Sequence, residues 1–149
     1  MDIHFIATEE QSGLKRNYLI SNIENEDIGS AEGYLNDYGE LVSGIKIYNS
    51  DYQKSGYEFI AFKKIFDELN SEITITTIID SWNRGGEFQD FEEGMSTNLK
   101  EFLECQENGG KPEECASQTP TGKWASRLGF NNCKLSKLEF DEVVVKFTK

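Results

Sequence analysis

The sequence predicts a single α/β (α+β) domain with a mixed central sheet flanked by a few helices, and three observations carry that reading. Its 149 residues, 37% hydrophobic with ten Phe, are enough to bury one core. The first half consists of short apolar runs bounded by Asn, Asp, Glu and Gly, the pattern of strands and turns. The clearest helical period then lies between two strand-like runs, an order that suggests a crossover with parallel strands.

Taken in order, Ile3 to Ala7 is apolar with a polar tail and reads as a first strand. Asn17 to Ser21 and Ala31 to Leu35 are short strand candidates, and Asp37-Tyr38-Gly39 reads as a hairpin turn. Leu41 to Tyr48 follows, with Val42, Ile45 and Ile47 apolar and Gly44 at a bulge. After a loop from Asn49 to Ser55, Phe62, Ile65, Phe66 and Leu69 fall at helical spacing, with Lys63, Lys64, Asp67 and Glu68 on the other face. Asn70-Ser71 ends that helix, and the β-branched run Ile73 to Ile79 predicts a buried central strand. Residues 83–119 form an acidic insert that includes Glu87, Asp90, Glu101, Glu104 and Glu107, with Gly85-Gly86 and Gly109-Gly110 as its breaks. Within it Leu99, Phe102 and Leu103 mark a short amphipathic helix capped by Ser96 or Thr97. Lys111 to Thr119 reads as an exposed loop. Thr121 to Leu128 is a short helix stopped by Gly129, and strands at Cys133 to Phe140 and Val143 to Phe147 close the chain. Trp82 and Trp124, lone aromatics in an aromatic-rich chain, are expected in the core.

Charge and composition exclude several functions. The formal charge is -12, from 27 acidic against 15 basic residues, and no basic stripe interrupts it. Such a field repels nucleic acid and anionic membranes, and steers a cationic amine or a basic protein inward. No apolar run approaches the ~20 residues that cross a bilayer. Three cysteines, Cys105, Cys115 and Cys133, match no metal knuckle, and their odd number without a signal peptide predicts reduced thiols in the cytoplasm. His4 is the only histidine, so a His-based catalytic unit has one choice, and a half-buried strand histidine explains it better. Glu92-Glu93 and Glu113-Glu114 lack the alternating Asp and Gly of a calcium loop and read as solvated faces, so no metal site is expected.

One segment carries a chemical hypothesis. Ile45 to Leu69 reads as strand, polar loop and helix, and loop amides that open a helix form an anion site. The loop, Tyr52-Gln53-Lys54-Ser55-Gly56-Tyr57-Glu58, resembles the acyl-CoA pyrophosphate loop of GNAT-type N-acetyltransferases: Gln or Arg, two residues, Gly, one residue, then Gly or Ala. Gln53 and Gly56 match, and Glu58 stands where the family has its second small residue. The late Leu128-Gly129-Phe130 is similar to the family's Leu-Gly-Phe turn, and the resemblance covers roughly Ala31 to Lys149. The paired helices that usually follow the family's first strand are hard to find before Ala31. The resemblance implies an acyl-CoA N-acyltransferase fold, acetyl-CoA as cofactor, and binding by Ile47, Tyr48, Gln53, Lys54, Ser55, Gly56 and Tyr57. It also implies a tyrosine acid four residues before the Gly of the late turn, where this chain has Ala125. A base is not identified; Asp80, at the end of the central strand, qualifies only by position. The competing expectation is a non-enzymatic acidic binding protein, such as an immunity protein or inhibitor of a basic toxin or nuclease.

Overall fold

The computed structural model describes residues 3–8, 13–53, 56–83 and 97–149. The chain divides into two compact units, Met1–Ile75 and Thr76–Lys149.

In the first unit four strands follow one another: β1 Ile3–Ala7, β2 Lys15–Asn22, β3 Asp27–Leu35 and β4 Glu40–Ile47. Each pairs antiparallel with the next. Short polar side chains make both tight connections. Asn22 Oδ1 accepts from the amides of Glu24 (2.9 Å) and Glu26 (3.0 Å), with Asn25 at φ 63. Asn36 Oδ1 accepts from the amides of Tyr38 (3.0 Å) and Glu40 (2.9 Å), with Gly39 at φ 79. A 3-10 turn, Ser50–Tyr52, then leads to α1, Tyr57–Asn70.

The sheet presents Ile20, Ala31, Leu35, Leu41 and Ile47 as buried core, and α1 buries Tyr57, Ala61, Phe62, Ile65, Phe66 and Leu69. At roughly 1.5–3 kcal/mol per large buried side chain, this face rather than helix propensity holds α1 in place. The approach is close at Gly33, where a Cβ would be driven into Cγ2 of Ile65. At the sheet margin Glu68 of α1 accepts from Tyr18 OH (2.5 Å) and Arg16 Nε (3.1 Å), and pairs with Lys64 at 2.8 Å. Burial acts to raise the Glu68 pKa, but the Lys64, Tyr18 and Arg16 bonds override it and leave it lowered. Burial and the same carboxylate push Tyr18 up to about 12.

The second unit contains β5 Thr77–Asn83, α2 Thr97–Glu107, α3 Pro112–Ser117, α4 Pro120–Arg127, β6 Asn132–Leu138 and β7 Glu142–Thr148. β7 pairs antiparallel with both β5 and β6. Ile78, Trp82, Leu99, Phe102, Cys115, Ala116, Ala125, Phe130, Val143, Val145 and Phe147 form the core.

Several expectations are corrected. The strand foreseen at Ile73 to Ile79 begins only at Thr77, because the amides before it terminate α1: Ile73 N–H bonds Leu69 O (3.1 Å) and Ile75 N–H bonds Asn70 Oδ1 (2.8 Å). β3 starts at Asp27 rather than Ala31. His4 is exposed rather than half-buried. Lys111 to Thr119 is not an exposed loop: Pro112 opens α3, Glu113 and Glu114 occupy its first turn, and Cys115, Ala116 and Thr119 are buried. Thr97 lies inside α2 rather than before it, while Ser96 and residues 84–95 lie outside the described residues. The cysteines are not all reduced. Cys105 and Cys115 form a disulfide, which removes the thiol argument for a reducing compartment, and Cys133 alone is free.

The contact at Gly33 is testable. Gly33→Ala is expected to lower stability by about 1–3 kcal/mol in urea denaturation. The same change made in an Ile65→Ala background should cost less, since the clashing methyl is gone. Equal costs in both backgrounds would show that the close approach does not govern the packing of α1.

Candidate functional site

The strand–loop–helix segment of the first unit builds a compact polar corner. Tyr48 donates its amide to Ile28 O (3.0 Å) and so closes the β3–β4 ladder. Since successive residues of a strand point their backbone groups to opposite edges, the Ile47 carbonyl points away from β3. Gln53 Nε2 donates to that carbonyl at 2.7 Å. Asn49 caps the intervening 3-10 turn by accepting from the Asp51 amide (3.0 Å), and Gln53 N–H returns to Ser50 O (3.3 Å). The loop's glutamine is therefore anchored to the strand that precedes it.

Gly56 is the N-cap of α1 at φ 85, a left-handed conformation that a side chain resists. A Cβ built there meets nothing within 4 Å, so the surroundings are open. Having no side chain, Gly56 cannot cap α1, and the first-turn amides of a 14-residue helix start beside an open approach. Tyr57 is buried and its ring packs on Tyr52 with centroids 5.6 Å apart. It can contribute its backbone but not its hydroxyl-bearing face to a ligand. Asn22 Nδ2 steadies Tyr52 by donating to its hydroxyl (3.2 Å). Tyr48 is exposed and donates its hydroxyl to Asp27; burial and that carboxylate raise its pKa to about 12. Glu58 is half-buried in the first turn, where its charge complements the helix dipole and opposes an incoming anion.

Ile47, Tyr48, Gln53, Gly56 and Tyr57 thus fall within one short stretch of strand end, turn and helix start. Lys54 and Ser55 lie outside the described residues. Asn22, Asp27 and Asn49 support the corner and were missed. Asn49-Ser50-Asp51 carried a local capping signal, whereas Asp27 and Tyr48 meet only through strand pairing.

The second unit contains the other candidates. Asp80 is not a strand-terminating surface residue. It sits half-buried within β5, accepting at Oδ2 from Trp82 Nε1 (2.7 Å) and Thr121 Oγ1 (2.8 Å). Its Oδ1 accepts from the Ser81 amide (3.0 Å). Burial raises its pKa, against the lowering effect of those three bonds. Thr121 N–H in turn bonds Asn98 Oδ1 of α2 (3.0 Å), and Thr119 caps α4. Ala125, one helical turn beyond Thr121, is 0% exposed. The position that the resemblance assigns to a tyrosine acid is a sealed core site. Trp82 is core, as expected, with its ring 5.7 Å from that of Phe102.

Among the described residues no group of His, Cys, Asp and Glu could hold a metal ion, and no helix is long and apolar enough to cross a membrane. No family model matches the chain and no curated protein does. Solved structures do. An acetyltransferase of the GNAT family from Streptococcus pneumoniae superposes with TM-score 0.51 at 7% identity, over 93% of this chain and 70% of that one. The ribosomal-protein-S18-alanine N-acetyltransferase from Escherichia coli gives TM-score 0.50 at 14% identity, over 93% and 71%. The chain spans 62% of the ribosomal-protein-S5-alanine acetyltransferase from Vibrio fischeri, at 12% identity and TM-score 0.49. The likenesses to the Streptococcus pneumoniae and Escherichia coli structures show the fold, the acyl-CoA N-acyltransferase fold with its mixed sheet that the sequence led us to expect.

Asp80 can be tested as a structural group. Asp80→Ala leaves the Trp82 and Thr121 donors unpaired and should cost about 1–3 kcal/mol, whereas Asp80→Asn keeps an acceptor oxygen and should cost less. Because burial raises the Asp80 pKa in the fold, its stabilising contribution is full below the unfolded pKa and is lost as pH rises through the folded one. The stability of the native chain relative to Asp80→Asn should therefore improve between about pH 7.5 and about pH 4.5 in parallel urea titrations. A difference that instead grows toward high pH would contradict the assignment.

Proposed function

We propose that the chain binds acetyl-CoA at the corner formed by Ile47, Tyr48, Gln53, Gly56 and Tyr57, with Lys54 and Ser55 of the same loop sequence as further contacts, and acts as an N-acetyltransferase on a cationic amine. The observation that carries this reading is Gly56: a left-handed N-cap with open space around it, opening a long helix whose first amides no N-cap side chain covers. That is the chemistry a diphosphate needs. The fold supports the same reading, since the Streptococcus pneumoniae and Escherichia coli structures that share it are named acetyltransferases.

When bound, acetyl-CoA supplies an activated thioester carbonyl. The chain's part is to hold the diphosphate on the α1 amides, with Gln53 fixing the shape of the loop through Ile47. Glu58 weakens that hold without abolishing it, because its charge is also a favourable partner of the helix N-terminus. The net charge of -12 draws a protonated amine toward the protein. Transfer then requires a carboxylate, directly or through water, to take the amine's proton. Asp80 is a poor choice for that base, since both of its oxygens already accept bonds from within the fold. The alternative of an acidic inhibitor rests on the acidic insert, and the described part of that insert folds into α2 and α3 without a geometry that favours it.

Calorimetric titration with acetyl-CoA tests the site. Binding is expected, and Glu58→Gln should tighten it by roughly 2- to 5-fold by removing one negative charge from the helix mouth. Gly56→Val should weaken it severalfold, because the left-handed cap and the open approach are both lost. Absence of heat at high micromolar cofactor would remove the proposal.

A further inference from the structure

The bridge between Cys105 and Cys115 joins the last turn of α2 to α3. Its surroundings are built around it. Gly109 turns the chain at φ 89, and Gly110 donates its amide to Cys105 O (3.0 Å). A Cβ at Gly110 would lie 2.5 Å from the Cys115 sulfur and 2.6 Å from the Cys105 sulfur, so the backbone packs directly on the bridge. Cys115 is 0% exposed, while Cys105 is half-buried and is the less enclosed partner. Cys133 is no rival for either partner: burial, and then Glu113, push its thiol up to about 11, which keeps it from forming the attacking thiolate.

The bridge also holds the elements that fix the polar network of this unit. α2 supplies Asn98 to the Thr121 amide, and Thr121 supplies its hydroxyl to Asp80. A protein that uses acetyl-CoA works among the thiols that keep cytosolic proteins reduced, where a disulfide is usually transient and sensing rather than permanent. We infer that Cys105–Cys115 is a redox switch: oxidised, it locks α2 to α3 and stabilises the second unit; reduced, it loosens both. This functional setting rests on the acetyl-CoA reading, while the chemistry of the switch can be measured without it. Reduction consumes two molecules of a small thiol such as glutathione: the S–S bond breaks, the two thiol protons pass to the cysteines, and one glutathione disulfide forms. Oxidation is the reverse exchange with glutathione disulfide.

The full chain is equilibrated across ratios of reduced to oxidised glutathione, quenched with a maleimide reagent, and its modified cysteines counted under denaturing conditions. One modified cysteine is expected in the oxidised form and three in the reduced form, with interconversion inside the range set by glutathione. The reduced form should melt roughly 5–10 °C lower, and amide exchange should rise across residues 97–127. A Cys105→Ser, Cys115→Ser variant should match the reduced form at every ratio, and if it fails to fold, the native chain's titration alone decides. A bridge that persists in excess reduced glutathione, or equal melting in both forms, overturns the switch. If neither form binds acetyl-CoA while the redox titration behaves as described, the functional proposal fails and the switch stands.

Discussion

The close approach of α1 to the sheet at Gly33 is the constraint on which the first unit depends. Because Gly33 has no side chain, Ile65 can enter the sheet surface, and the helix lies low enough to bury Ala61, Phe62, Ile65 and Leu69 fully. The depth of the helix then fixes where its first turn stands relative to the end of β4. With Tyr57 buried against Tyr52, and Tyr52 held by Asn22 of β2, the N-terminus of α1 is positioned from two sides. A helix mouth that binds an anion must not move when the anion arrives, or part of the binding energy goes into ordering it. Packing at Gly33 and the Tyr52–Tyr57 contact supply that rigidity before any ligand is present.

The second unit depends on polar rather than apolar complementarity. One oxygen of Asp80 satisfies an indole and a hydroxyl, and so ties β5 to α4; Asn98 ties α2 to the same residue of α4. A carboxylate with three donors holds a geometry better than a greasy contact would, since each donor has a direction. Those donors counter only part of the burial, and the Asp80 pKa stays raised.

Much of this was legible in the sequence where the signal is local. Ile3–Ala7 was readable from its apolar run, α1 from Phe62, Ile65, Phe66 and Leu69, and the end of α4 from Gly129, which is indeed left-handed at φ 90. Where signals compete, the reading slipped. Ile73 and Ile75 have the composition of a strand, but their amides are captured in ending α1. α3 was lost because Cys115 and Ala116 are its only buried residues, too few to show a period, although Pro112 and Glu113 were a start signal. The pairing of Cys105 with Cys115 could not be read, since three cysteines allow three pairings and spacing does not choose. The loop motif was readable as Gln53 and Gly56, whereas the bond from Gln53 to Ile47 is a product of the turn capped by Asn49.

The location of Ala125 bears on the acid that the proposed transfer would use. Had the position been an exposed alanine, a missing acid could be supplied by water at the same place. It is a sealed core site, so neither water nor a substituted tyrosine would fit without displacing packed neighbours. A positioned general acid typically contributes about 10²- to 10⁴-fold to a rate, and that factor is absent from this position. Asp80, the carboxylate that the sequence offered by position, is committed to Trp82 and Thr121. What the fold offers the proposed reaction is an open helix mouth at Gly56 and the first turn of α1, rather than an acid at Ala125. On the proposed function, the amine's proton then has to leave through a carboxylate other than Asp80.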